Sequence, residues 1–225
     1  MSTRRERAEV TRQSILDGAA TAFDAAGFGS TSLSDIAKHS GVTKGAMYFH
    51  FPSKEALAHE LMADQFSVLP LLPNTEHPGV QNVIDITHLV AHGLRTRVRV
   101  SAGIRLVIEF GSFTEPNPGM YDTWIETMRD SLAPAQGRGD VKADVNVNDA
   151  STYIVGAFAG VQITSQVRTR RADLHERVTD MWTWLLPGLV PVRRIPRFDP
   201  KGSAELWERL EQDIAESQNQ AVAAD

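Results

Sequence analysis

The 225-residue sequence contains no cysteine. That absence excludes a disulfide framework, a thiolate zinc cluster and a cysteine nucleophile, and it agrees with a reducing compartment. Also missing is any apolar run near the roughly 20 residues that a membrane-spanning helix needs. The charged start MSTRRERAEVTRQ is followed by no apolar signal core. The expectation is a soluble, unexported, cytoplasmic chain with no membrane partner. No alternating run of β-branched residues is long enough to build a sheet, so the expected fold class is all-α. The marks of common enzyme chemistry are absent too: there is no HExxH, no GxSxG and no phosphate-cradling glycine loop. His88 and His92, spaced i, i+4, leave a metal-dependent enzyme as a remote alternative to two ordinary histidines on one helix face. No catalytic residue, metal or cofactor is expected.

Net charge is −5, a sum unfavourable to nucleic-acid binding, but its distribution is uneven. Up to Lys54, seven Lys and Arg stand against five acids, so this stretch carries +2 and the remainder −7. A cationic head on an acidic body suits a DNA-binding module carried by a larger domain, although random scatter of surface charge gives the same figures.

Apolar residues recur with a helical period. Ile15, Ala19, Ala22, Phe23 and Ala26 form a buried stripe, and Gly27 supplies a stop, which predicts a first helix of about five turns. Ser32 and Asp35 have capping-box spacing ahead of Ile36 and Ala37, and Gly41 closes a helix of about two turns. TKGAMYFHF predicts another two-turn helix, because Pro52 prevents its continuation and Ser53 can cap the next. That next helix covers KEALAHELMADQFSVL. Further helical patterns run over residues 80–113, 120–132, 148–170 and 172–186. The proline-bearing segment PGLVPVRRIPRFDPKG is expected to be irregular, and a last helix is expected over 203–218. The division read from the sequence is a head at 1–54 and a body at 55–225.

Three helices with a glycine-bearing turn between two short ones follow the helix-turn-helix plan, in which the second short helix enters the major groove. Thr43 and Lys44 lie at its amino end, where backbone N–H groups can meet phosphate. Gly45 and Ala46 permit close approach, and Tyr48 and His50 project polar tips. Ala46, Met47, Phe49 and Phe51 can divide between core packing and contact. Periodicity alone leaves an ordinary αα-hairpin as an equal reading.

The pattern AAxxFxxxGFxxTSLxDIAxxxGVTKGAMYFHFPSKEAL, within residues 15–61, resembles the DNA-binding domain of the TetR family. The resemblance implies a TetR-like all-α homodimer: an amino-terminal three-helix head reads a palindromic operator, and a larger helical domain binds a small effector and dimerises. Carried over by position, Thr31, Ser32, Tyr48, His50 and Lys54 would touch phosphates, while Thr43, Lys44, Gly45 and Ala46 would lie nearest base edges. Lys44 is the long cation among these and the candidate for guanine readout. Arg4, Arg5 and Arg7 are either a flexible arm on the backbone or a solvated tail.

VTKGAMYFHFPSKEALA, the tryptophan of YDTWIETM and LLPGLVPVRR are together similar to the γ-butyrolactone autoregulator receptors of actinomycetes. This implies a transcriptional repressor of antibiotic and other secondary-metabolite genes, released by a butyrolactone, butenolide or furan signal that Trp124 contacts. A relative sensing an antibiotic or a biosynthetic intermediate is the alternative. An apolar slot with a few hydrogen-bonding partners is expected from Gln65, Val107, Ile108, Phe110, Trp124, Met128, Phe158, Val161, Gln162 and Thr164, each of which also suits plain core packing. Small residues at Gly156, Ala157, Ala159 and Gly160, with the helix of Trp182 and Trp184, resemble the family's four-helix dimer interface, intramolecular packing being the other reading.

Overall fold

The computed structural model describes residues 4–73, 76–110 and 119–224. Among them there is no strand. In chain order the helices are α1 (Arg4–Ser30), α2 (Leu33–Ser40), α3 (Lys44–His50), α4 (Lys54–Asp64), α5 (Val80–Thr96), α6 (Val98–Phe110), α7 (Gly119–Gly137), α8 (Val147–Thr169), α9 (Leu174–Leu189) and α10 (Ala204–Ala224), with 3-10 turns at Gln65–Leu71 and Val192–Arg197. The chain falls into two compact units: Met1–Ser67 with Gly93–Met120, and Val68–His92 with Tyr121–Asp225.

In the first unit, α1 reaches back to Arg4, so Arg4, Arg5 and Arg7 stand exposed on its first turns instead of forming a flexible arm. Gly27 breaks the helix with φ 77° and ψ 172°, a conformation that disfavours a β-carbon, as its place after the apolar stripe predicts. The Thr31 hydroxyl, donating to the Gly27 carbonyl at 2.7 Å, pins the break. The long helix expected after Ser53 stays α-helical only to Asp64 and then tightens into the 3-10 turn that contains Pro70. Proline there lacks the N–H for an α-helical bond, and its ring would meet the carbonyl four residues earlier.

The single helix expected over 80–113 is two helices, broken at Arg97, and its last residues lie outside those described. Apolar periodicity runs through the break without a signal. Ladder bonds also bridge it, from Arg97 N–H to Gly93 O at 2.8 Å and from Ser101 N–H to Arg97 O at 3.1 Å.

The core of this unit joins Ile15, Phe23, Ile36, Met47, Phe51, Leu57 and Leu61 to Ala102 and Leu106 of α6. Polar side chains fasten α6 to α1. Arg99 donates to the Asp17 carboxylate at 2.6 Å and to the Gln13 side chain and carbonyl at 2.8 and 2.9 Å. Ser101 donates to Asp24 at 2.6 Å, and Glu109 accepts the Phe28 N–H at 2.7 Å beside the Gly27 break.

In the second unit α8 packs on α9. Trp182 is fully buried and donates its indole N–H to the Thr87 hydroxyl of α5 at 2.8 Å. Helix α9 continues through Pro187 to Leu189, so the proline-bearing segment is helical at its start. A proline in a last turn removes one ladder bond and leaves the preceding turns intact. Two other helices outrun their expected ends: α7 to Gly137, through Pro134, and α10 to Ala224.

Helix α4 crosses α6 at Gly103, where a β-carbon would stand 2.4 Å from the Leu61 carbonyl oxygen. Alanine ordinarily favours a helix over glycine by about 1 kcal/mol, but forcing apart two packed backbones costs about 1–3 kcal/mol. Gly103→Ala is therefore expected to lower the thermal unfolding midpoint by several degrees, measured by circular dichroism; an unchanged or raised midpoint would show that the crossing tolerates the methyl.

Candidate nucleic-acid and effector sites

Helices α2 and α3 are each set by their caps. Ser32 precedes α2 and closes a capping box: its backbone N–H donates to the Asp35 carboxylate at 2.9 Å, and its oxygen accepts from the Asp35 N–H at 3.2 Å. The Ser32 hydroxyl, donating to the Asp35 carboxylate at 2.6 Å, and after it the Ser32 N–H hold that carboxyl below its usual range. Gly41 ends α2 in the left-handed conformation at φ 66°. Thr43 then caps α3 by accepting the Ala46 N–H at 3.2 Å.

Met47 and Phe51, one turn apart, point into the core and anchor α3. With that face committed, Thr43, Lys44, Gly45 and Tyr48 stand exposed, while Ala46 and His50 are half-buried. A β-carbon at Gly45 would meet nothing within 4 Å. Phe49, which the sequence left open between packing and contact, is 80% exposed and meets His50 edge-on at 5.2 Å. An exposed aromatic beside Tyr48 offers an apolar surface of the kind that meets thymine methyl groups.

Two of the residues assigned to phosphates are turned to other work. Thr31 is buried, its hydroxyl donating to the Ala22 and Gly27 carbonyls. The Lys54 ammonium donates to the Phe28 carbonyl at 2.8 Å and the Thr31 carbonyl at 3.0 Å, and it lies 4.2 Å from the centre of the Phe28 ring. Lys54 thus ties the start of α4 to the α1–α2 turn. Ser32 remains exposed.

The candidate effector residues divide between the units. In the first, Gln65 is buried at the end of α4 and donates to the Met62 carbonyl at 2.8 Å. Val107 packs partly against the head core, Ile108 is exposed, and the Phe110 side chain lies outside the described residues. In the second, Trp124 and Met128 are buried one turn apart on α7. Phe158 and Val161 are half-buried, and Gln162 is buried, its carbonyl accepting from Arg171 at 3.3 Å. Thr164 is exposed, and its hydroxyl bonds to α8's own carbonyls at Gly160 and Val161.

One cavity in the second unit, of about 550 Å³, is an open groove between the start of α8 and the end of α9, lined by residues that include Asn146, Tyr153, Ile154, Leu185 and Leu189. None of the expected effector residues lines it. The groove joins an exposed apolar face: Tyr153, Ile163 and Val167 recur along α8 with Gly156 and Gly160 between them, and Trp184 of α9 is 84% exposed. β-Carbons at both glycines would meet nothing within 4 Å, so their smallness serves no packing among the described residues. Among the described residues, no group of three or more His, Cys, Asp or Glu could hold a metal ion, and no helix is long and apolar enough to cross a membrane. The His88 ring is turned to His175 and Pro200.

The geometry at Lys54 predicts that Lys54→Met lowers head stability by about 1–2 kcal/mol, since two buried-side carbonyls lose a charged donor. Chemical denaturation would record the loss. A fully stable variant with weakened DNA binding would instead return Lys54 to the phosphate contacts.

Comparison with known proteins agrees with this architecture. Residues 15–61 match the family model described as bacterial regulatory proteins of the tetR family, and residues 78–191 match that of the tetracyclin repressor-like C-terminal domain. The A-factor receptor protein of Streptomyces griseus is 34% identical over 97% of this chain and 78% of its own length. The crystal structure of the full-length TetR regulator TylP of Streptomyces fradiae is 36% identical and superposes with a TM-score of 0.78, covering 92% of this chain and 99% of that one. A crystal structure of an ArpA-like γ-butyrolactone receptor is 34% identical with a TM-score of 0.72, over 92% and 99%. With two family models spanning head and body and a relative that aligns with 97% of this chain, the chain belongs to the TetR family of transcriptional regulators, which bind operator DNA and small effectors and act as dimers.

Proposed function

We propose that the chain represses secondary-metabolite genes from a palindromic operator and is released by a small apolar signal of the butyrolactone, butenolide or furan type. The observation that carries the DNA half is α3. Its inner face is locked by Met47 and Phe51, so that Thr43, Lys44, Gly45, Tyr48 and Phe49 project together from a capped helix. A short rigid helix with small residues near its amino end is what a major groove admits. Lys44 supplies the long donor for a guanine edge, and Tyr48 and His50 reach toward the backbone.

Support for the effector half comes from Trp124 and Met128, buried on one face of α7, and from likeness to a γ-butyrolactone receptor and the A-factor receptor. An indole wall with an adaptable thioether suits a compact apolar ligand. In this reading the exposed stripe of Tyr153, Ile163, Val167 and Trp184 is the face that a second copy covers. The dimer then sets two α3 helices about one DNA turn apart, roughly 34–36 Å. Effector binding selects a conformation in which that spacing is lost.

The test is a gel shift on the promoter region of the protein's own gene, with and without butyrolactone, butenolide and furan signals. We expect specific binding, release by one class, and a Trp124→Ala protein that binds DNA but is no longer released. Lys44→Ala is expected to weaken binding and relax base preference. Binding that resists all three signals would discard the ligand class, and no specific binding would discard the repressor.

A further inference from the structure

Helix α5 carries a polar stripe that the regulator's DNA and effector roles do not use. Gln81, Asp85 and His88, at i, i+4 and i+7, all grip the segment leading into α10. Gln81 exchanges bonds with the Asp199 backbone at 2.9 and 3.2 Å. Asp85 accepts the N–H and hydroxyl of Ser203 at 2.8 and 2.7 Å, and Ser203 in turn accepts the Leu206 N–H at the start of α10. His88 is fully buried. Its Nε2 lies 2.9 Å from the Pro200 carbonyl and its Nδ1 lies 3.2 Å from Nδ1 of His175 on α9. Trp207 of α10 packs edge-on against both imidazoles, with ring centres 5.8 and 5.0 Å away, and donates to the Lys201 carbonyl at 3.0 Å.

The hydrogen positions follow from the partners. A carbonyl only accepts, so His88 Nε2 carries a proton. In neutral His88, Nδ1 is then an acceptor and His175 Nδ1 is the donor. One further proton can be shared along this line. A second would set two N–H groups head to head at 3.2 Å and place two cations in contact. Burial opposes charge on His88 most strongly, while the Pro200 carbonyl and the carboxylates of Asp85 on α5 and Asp199 on the segment favour it. Both carboxylates already accept bonds from the docked segment.

We propose that the His88–His175–Trp207 cluster is an acid-released clasp, which holds α10 on the second unit at neutral pH and frees it when both imidazoles are protonated. The direction is set by linkage. His88 is held below the ordinary histidine value when docked, so the undocked state binds more protons as pH falls. Docking is at full strength above about 6.5, the ordinary value, and weakens progressively below it. With one extra proton bound when undocked, the docking constant falls about tenfold per pH unit.

The experiment is a ¹⁹F NMR titration of the full chain labelled with 5-fluorotryptophan, from pH 8 to 5, with signals assigned by Trp207→Phe and Trp182→Phe. The expected result is that the Trp207 resonance moves to a solvent-exposed position below the ordinary histidine range, while buried Trp182, bonded to Thr87, stays fixed. His88→Gln keeps a donor for Pro200 and an acceptor for His175 without titrating, and is expected to leave Trp207 docked throughout. A Trp207 signal that is constant in the wild type, or that moves only together with Trp182, would overturn the clasp; this wild-type criterion holds whether or not the glutamine variant docks.

Discussion

The contact on which the DNA-reading unit depends is the crossing of α6 with α1 and α4. At Gly103 the absence of a side chain lets the Leu61 carbonyl approach the α6 backbone, and Ala102 and Leu106 then enter the same core as Phe23, Ile36 and Leu57. Arg99, Ser101 and Glu109 fasten the other side of α6 to α1 through Gln13, Asp17, Asp24 and the Phe28 N–H. A helix from the middle of the sequence is thereby part of the head. Any displacement of α6 must carry α1 and α4 with it or break charged hydrogen bonds, which are each worth about 1.5–3 kcal/mol. Within this unit α1, α4 and α6 therefore move as one piece, with α3 anchored on the same core by Met47.

Much of the head was legible because its signals are local. The Ser32–Asp35 capping box, the Gly27 and Gly41 stops and the Ser53 cap all act within a turn of themselves, and each falls where spacing placed it. Which of Ala46, Met47, Phe49 and Phe51 turn inward was left open, and the structure buries Met47 and Phe51. Long-range polar pairing was not legible. Nothing near Lys54 announces that its ammonium turns toward carbonyls 23 and 26 residues earlier, and nothing near Glu109 points to an N–H 81 residues away. The break at Arg97 was hidden for a different reason: the apolar pattern and the hydrogen-bond ladder both persist across it.

The body was legible in outline and less so in its faces. Trp124, Met128 and Gln162 are buried, whereas Thr164 is exposed; a mixed helix such as α8 carries too weak an amphipathic signal for its sequence to say which side faces inward. The small residues at Gly156 and Gly160 are informative only once they are seen to face open space beside Tyr153 and Val167. That open space agrees with the proposed dimer face, in a family that acts as dimers.

If one conformational equilibrium links the effector to the operator, the two ligands must weaken each other equally. The most direct measurement is a calorimetric titration of the releasing signal into the free dimer and into the dimer saturated with operator duplex. Operator is expected to raise the dissociation constant of the signal by the same factor by which the signal raises that of the operator. A signal that binds both forms with the same affinity would contradict it, since a ligand indifferent to two states shifts neither.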